Sequence, residues 1–83
     1  MRVDKFLKVS RLIKRRTIAK EACDGDRVTI NGKIAKAGSE VKPQDVIEIR
    51  FGTGALSVKV LKISESQRKE DAQTMYEVIS GTD

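Results

Sequence analysis

The chain has 83 residues, which is enough for one small domain and too few for two independent cores. Its formal net charge is +5, with 35% charged and 39% hydrophobic residues, a balance that suits a folded basic domain. One cysteine and no histidine exclude an internal disulfide and remove the usual metal ligand and proton shuttle, and no apolar run exceeds two residues, so neither a membrane span nor a signal-peptide core is expected.

The first twenty residues hold eight basic side chains against Asp4 alone, while the remaining residues hold nine basic and eleven acidic ones. All the excess positive charge therefore lies in the first quarter of the chain. Such segregation points to a polyanion or an anionic surface as partner. Within it, Val3, Phe6, Leu7, Val9, Leu12 and Ile13 fall on one half of a helical wheel. Asp4, Lys5, Lys8, Arg11, Lys14 and Arg15 fall on the other, so a helix would spread the charges of RLIKRR over one exposed face. A break at Ser10 would re-aim Arg15 and Arg16, and the pattern leaves that open.

A second helix is expected from about Thr17 to Asp24, with Ile18, Ala19, Ala22 and Cys23 inward and Gly25 as its stop. Arg27 to Ile30 alternates into Asn31-Gly32, a strong hairpin signal, with Lys33-Ile34-Ala35 returning. Lys42-Pro43-Gln44-Asp45 reads as a turn. Val46 to Phe51 is a strand with Ile47, Ile49 and Phe51 on one side, and Leu56 to Ile63 is another with Val58 and Val60 inward. Leu61 and Ile63 break that phase, which implies a bulge or a strand end near Leu61. The stretch 64–74 is polar, and Met75, Tyr76, Val78 and Ile79 fit a short helix or a docked strand equally well.

Little here supports enzymatic chemistry. There is no histidine base, no Cys/His cluster and no phosphate-cradling glycine motif. Cys23 reads as a small buried hydrophobe and Tyr76 as an anchor for the tail. No cofactor or metal is implied. A basic run is ordinarily a solvated face, but here the charges are nearly unopposed and rich in arginine, whose planar fork pairs bidentately with phosphate. The amino end of the second helix adds unpaired amides. No helix joins base-reading Asn or Gln to flanking basic residues, so a structured RNA read by shape and phosphates suits the inventory better than DNA. The competing class is a basic amphipathic helix lying on a membrane surface. For Asp4 two roles stand level: compensating the first turn of a helix, and orienting Arg2 or Arg16.

An arginine-rich helix pair, then Arg27-Val28-Thr29-Ile30-Asn31-Gly32-Lys33, then Ser39, Val41, Lys42 and Asp45-Val46-Ile47, resembles the S4 RNA-binding domain family over about residues 1–50. The opening MRVDKFLKVSRLIKRR is similar to its free-standing bacterial members, both the RqcP-like quality-control type and the heat-shock type. Because the heat-shock type carries a long basic C-terminal extension, the quality-control type is the expectation. The resemblance implies an α+β fold: an S4-type αα pair packed on a small, mainly antiparallel β-sheet with a short C-terminal extension. Residues 1–51 would form the RNA-binding part, and 52–83 a strand and tail completing the same domain. It further implies a monomeric, non-catalytic cytoplasmic protein that binds large-subunit ribosomal RNA and peptidyl-tRNA. On the obstructed subunit it would hold the tRNA while an RqcH-type partner adds an alanine tail to the stalled chain. Large-subunit recycling and ribosome assembly are the alternatives.

The resulting candidate RNA-binding residues are Arg2, Asp4, Lys5, Lys8, Arg11, Lys14, Arg15, Arg16 and Lys20. Three departures from the family pattern concern turns. Arg15 stands where Ser or Thr often caps the second helix, Asp26 and Gln44 where Gly is frequent, and Gly38 where Pro is.

Overall fold

The computed structural model describes residues 1–65 and 68–81. The apolar spacing at the amino end makes a helix only as far as α1 (Val3–Val9). Ser10 is buried and turns its hydroxyl back onto the Leu7 carbonyl at 3.3 Å, a local bond that competes with helix continuation. Arg11 then takes a left-handed φ of 63°. Its N–H donates to the Lys8 carbonyl at 3.0 Å and that of Ile13 to the Leu7 carbonyl at 3.0 Å, which closes the helix with a left-handed stop. Arg11, Lys14 and Arg15 therefore lie on a link, not on the exposed face of a continuing helix.

Helix α2 (Arg16–Asp24) begins one residue before the expected start. Ala19, Ala22 and Cys23 are buried, but Ile18 is 47% exposed, contrary to its expected inward position. The apolar stripe is thus narrower than the sequence implied, and the small residues let α2 lie close against α1.

Strands β1 (Val28–Ile30), β2 (Lys33–Ile34), β3 (Val46–Arg50), β4 (Ala55–Val60) and β5 (Tyr76–Gly81) form one sheet in the order β2-β1-β3-β4-β5, every pairing antiparallel. Asn31 and Gly32 both adopt positive φ, 53° and 84°, as a two-residue hairpin turn requires. Gln44 (φ 81°) follows Pro43 as the third residue of a type II-like turn, and Asp26 (φ 59°) also stands left-handed. These are the two positions where the sequence departs from a frequent glycine, and the backbone keeps the glycine-like conformation.

Ile47 and Ile49 are buried as expected, but Phe51 lies past the end of β3 and is 50% exposed. Strand β4 ends at Val60, so the phase break at Leu61 is a strand end, and the register shift falls earlier, between Ser57 and Val58. The tail is a strand, preceded by a single turn, α3 (Lys69–Ala72), that the polar composition did not announce. Ser66 and Gln67 of the polar stretch lie outside the described residues. Val3, Phe6, Leu7, Cys23, Val28, Ile47, Val58, Val60 and Met75 are fully inaccessible and join both helices to the sheet. Tyr76 packs against this core, as an anchor should. Among the described residues, no helix is long and apolar enough to cross a membrane.

Burial, with the charges of Asp4 and Asp24 as lesser causes, pushes the Cys23 thiol from 9.0 up to about 11. Folding therefore favours the neutral thiol. Its contribution to stability is intact below about pH 9, where the unfolded thiol is also protonated, and is lost as pH rises to about 11. Urea midpoints should accordingly fall between pH 8.5 and 11 in the native chain. In a Cys23→Ala variant that part of the decline should vanish.

Candidate nucleic-acid interface

The site is built around Asp4, an acid with 3% of its side chain exposed inside the most basic segment of the chain. It is placed by the loop before β3. The Val3 N–H donates to the Ser39 carbonyl at 2.7 Å, and Arg2 forms an isolated antiparallel bridge with Glu40. Arg2 Nε and Nη2 each donate to the Asp4 carboxylate at 3.2 Å, a bidentate fork. Arg16 Nη2, from the first residue of α2, donates to Asp4 Oδ1 at 3.4 Å, the oxygen that Arg2 Nε also reaches. The Lys5 N–H donates to Asp4 Oδ1 at 2.8 Å. Asp4 thus fills both roles the sequence left open, accepting a first-turn amide and holding two arginines.

Both arginines remain half exposed, 50% for Arg2 and 47% for Arg16. The sequence placed Arg16 in solvent, and the structure shows one edge of its guanidinium tied down. In a planar guanidinium the edges away from Asp4 stay open to a second anion. One buried carboxylate therefore fixes two forks that begin far apart in sequence and end side by side.

The start of α2 adds to this. Arg15 is its N-cap, in extended conformation and with no side-chain cap, and the first turn has no acid. Two arginines at the positive end of a helix are unfavourable by themselves, and an anion bound there would offset that cost. Lys20 lies one turn further on and is exposed. At the far end of α1, Lys8, Arg11 and Lys14 line a cleft of about 460 Å³ together with Val9.

Lys5 is not simply another open cation. Its Nζ lies 2.6 Å from Glu65 Oε1, and that hydrogen bond, with the lysine charge, lowers the Glu65 carboxyl below its usual range. Sequence reasoning missed Glu65 because it stands sixty residues away in a segment without periodicity.

Asp4→Asn should raise the net charge yet weaken RNA binding, because both forks lose their common anchor. We expect a stability loss of about 2 kcal/mol, moderated because the arginines can rehydrate. In a domain of this size that is about 10 °C in Tm. Thermal unfolding and RNA titration of the same sample test it, and tighter RNA binding by the variant would contradict the anchoring role.

The S4 domain family model matches residues 1–47. An RQC P-site tRNA stabilizing factor of Halalkalibacterium halodurans is 58% identical over 78 residues, covering 94% of this chain and 89% of that protein. One of Streptococcus pneumoniae is 56% identical over 82 residues, covering 99% and 93%. Among solved structures, heat shock protein 15 of Vibrio cholerae superposes with a TM-score of 0.87 at 31% identity, covering 96% of this chain and 82% of that one.

Proposed function

The chain belongs to the S4 domain family, and on that premise we propose that it is a non-catalytic RNA-binding factor of ribosome-associated quality control, acting to stabilise tRNA at the P site. The observation that carries this reading is the Arg2–Asp4–Arg16 cluster: two half-exposed forks held on a buried acid. A solvated charged face needs no such anchor. A surface that must grip a phosphate backbone in one orientation does.

In the finer form of the proposal, the partners are large-subunit ribosomal RNA and peptidyl-tRNA on an obstructed subunit. The protein holds the tRNA while an RqcH-type partner extends the stalled chain with alanine. Residues 1–51 supply the RNA-binding surface through Arg2, Asp4, Lys5, Lys8, Arg11, Lys14, Arg15, Arg16 and Lys20. That residues 52–83 complete the same domain is supported by the pairing of β4 with β3 and of β5 with β4. The membrane-surface alternative needs the apolar side of α1, yet Val3, Phe6, Leu7 and Val9 are buried in the core. Large-subunit recycling draws support from the likeness to heat shock protein 15. The higher identity to the tRNA-stabilizing factors favours quality control.

Sucrose-gradient sedimentation of the tagged protein from cells, with its bound RNAs identified, tests the reading. Co-migration with large subunits that retain peptidyl-tRNA is the expected result. Migration with small subunits or assembly precursors would keep the RNA-binding surface and overturn the quality-control role. Absence from every ribosomal fraction at low salt would overturn both.

A further inference from the structure

We propose that Asn31 is a site of spontaneous modification, converted to aspartate or isoaspartate through attack by the Gly32 nitrogen, and that its clasp to Asp45 and Val46 withholds the reaction while the hairpin stays seated. Asn31 is the chain's one asparagine, and glycine follows it. Both are exposed at the tip of the β1–β2 hairpin. Gly32 has no side chain, and beyond its chain neighbours no atom lies within 4 Å of where a Cβ would stand, so nothing crowds that side of its nitrogen. Strand β2 is two residues long, exposed, and paired on one side only, at the edge of the sheet. Such an element opens locally at far less cost than the whole domain. Against this stands the clasp. Asn31 Nδ2 donates to Asp45 Oδ1 at 3.0 Å, and Asn31 Oδ1 accepts the Val46 N–H at 2.9 Å. Asp45 is itself held, because its second oxygen accepts the Lys42 N–H at 2.9 Å. Both polar atoms of the carboxamide are thus committed to the start of β3.

The reaction needs water and no other partner. The Gly32 N–H gives its proton to hydroxide, and the nitrogen bonds to Asn31 Cγ. The Cγ–Nδ2 bond breaks, and the amide nitrogen takes a proton and leaves as ammonia. Water then opens the cyclic succinimide. Attack at the side-chain carbonyl gives aspartate, and attack at the main-chain carbonyl leaves the chain running through the side chain as isoaspartate. Ring closure turns Cγ onto its own chain and expels Nδ2, which cannot happen while both clasp bonds hold. Nor can the aspartate product rebuild the clasp, because its carboxylate has no donor and would face the Asp45 carboxylate. The change is one-way. The clasp also closes the segment between β2 and β3, whose Ala37 and Ser39 carbonyls accept the Asp4 and Val3 N–H groups at 3.3 and 2.7 Å. An altered Asn31 therefore loosens the seat of the Arg2–Asp4–Arg16 cluster. That consequence rests on the RNA-binding reading, and the modification itself does not.

The test incubates the full chain in mildly alkaline buffer, with and without denaturing urea, and follows the tryptic peptide Val28–Lys33 by mass spectrometry. Conversion should be at least about 10-fold slower in the native sample, the protection that two intact hydrogen bonds confer. Asp45→Ala removes one of them and should speed the native reaction about 5-fold, with the rate in urea unchanged. Equal rates in the native and urea samples would overturn the role of the clasp. No conversion in urea would overturn the site itself. Should Asp45→Ala fail to fold, the native-against-urea comparison still decides, together with a second variant. Asn31→Asp should melt about 5 °C or more below the native chain, and an unchanged Tm would mean that the product rebuilds the clasp after all. Titration of Asn31→Asp with bulk tRNA reads the consequence for the site. Weaker binding is expected, and unchanged binding beside a lowered Tm would overturn the link to the cluster. The sedimentation experiment stands apart: its failure would sink the functional reading and leave the chemistry of Asn31 untouched.

Discussion

Raising the salt from about 50 to about 200 mM should weaken binding of this chain to its RNA by about 10²- to 10³-fold. The estimate supposes about five phosphates neutralised, each releasing most of one condensed counterion. Five candidates would supply that number: Arg2, Arg15 and Arg16 at the N-termini of the two helices, Lys20 further along α2, and Lys14 on the link. Lys5 should contribute less, because a phosphate must displace Glu65 from it. Arg16→Ala should reduce the logarithmic salt slope by about one and weaken binding uniformly across sequences. The fold should barely notice, since a half-exposed pair at 3.4 Å is worth less than about 1 kcal/mol. Filter binding across a salt series, with the melting curve of the same preparation, checks both statements. A slope near zero would mean that the basic segment is merely solvated.

Phe6→Ala should cost about 3–5 kcal/mol. Against a total of about 4–12 kcal/mol for a domain of this length, that removes a large share of the stability. Phe6 has no solvent exposure and is among the largest fully buried side chains. It sits on α1 between Asp4 and Lys8, so removing it loosens the helix that holds Asp4, Lys5 and Lys8. Phe6→Leu keeps most of the volume and should cost under about 1.5 kcal/mol. Urea unfolding followed by circular dichroism separates the two. A loss under about 1 kcal/mol in the alanine variant would contradict the full burial of Phe6.

The fold was legible where one physical rule dominated. Asn31-Gly32 dictated its hairpin because both residues tolerate positive φ. Ile47 and Ile49, and Val58 and Val60, revealed buried faces because a two-residue period has one explanation. The basic patch was legible as charge, but not as geometry. Leu12 and Ile13 continue the helical spacing of Phe6 and Val9, so the stop at Arg11 left no trace in the pattern; it depends on a buried Ser10 and on carbonyls that only the folded helix presents. Ile18 and Phe51 looked like core residues because apolar spacing cannot tell where a neighbouring element runs out. The tail was ambiguous for a similar reason. Strand β5 is a sheet edge, and Val78 and Ile79 are both more than half exposed, which erases the alternation that marks a strand. Asp4 between two arginines was foreseen only as one option of two, because sequence gives proximity along the chain and not across the helix pair.

The Lys5–Glu65 contact makes the tail a party to whatever happens on the basic face. Glu65 leaves β4 a few residues before α3 and β5, so its bond to α1 joins the first helix to the last third of the molecule. Binding linkage is reciprocal: a ligand that draws Lys5 away must loosen that attachment by the same free energy that the attachment withholds from the ligand. If Lys5 meets a ligand, the carboxylate sets occupancy of the basic face against the attachment of Glu65 to α1. The amides of Ser64 and Glu65 should then exchange faster with solvent when the face is filled and slower when it is empty.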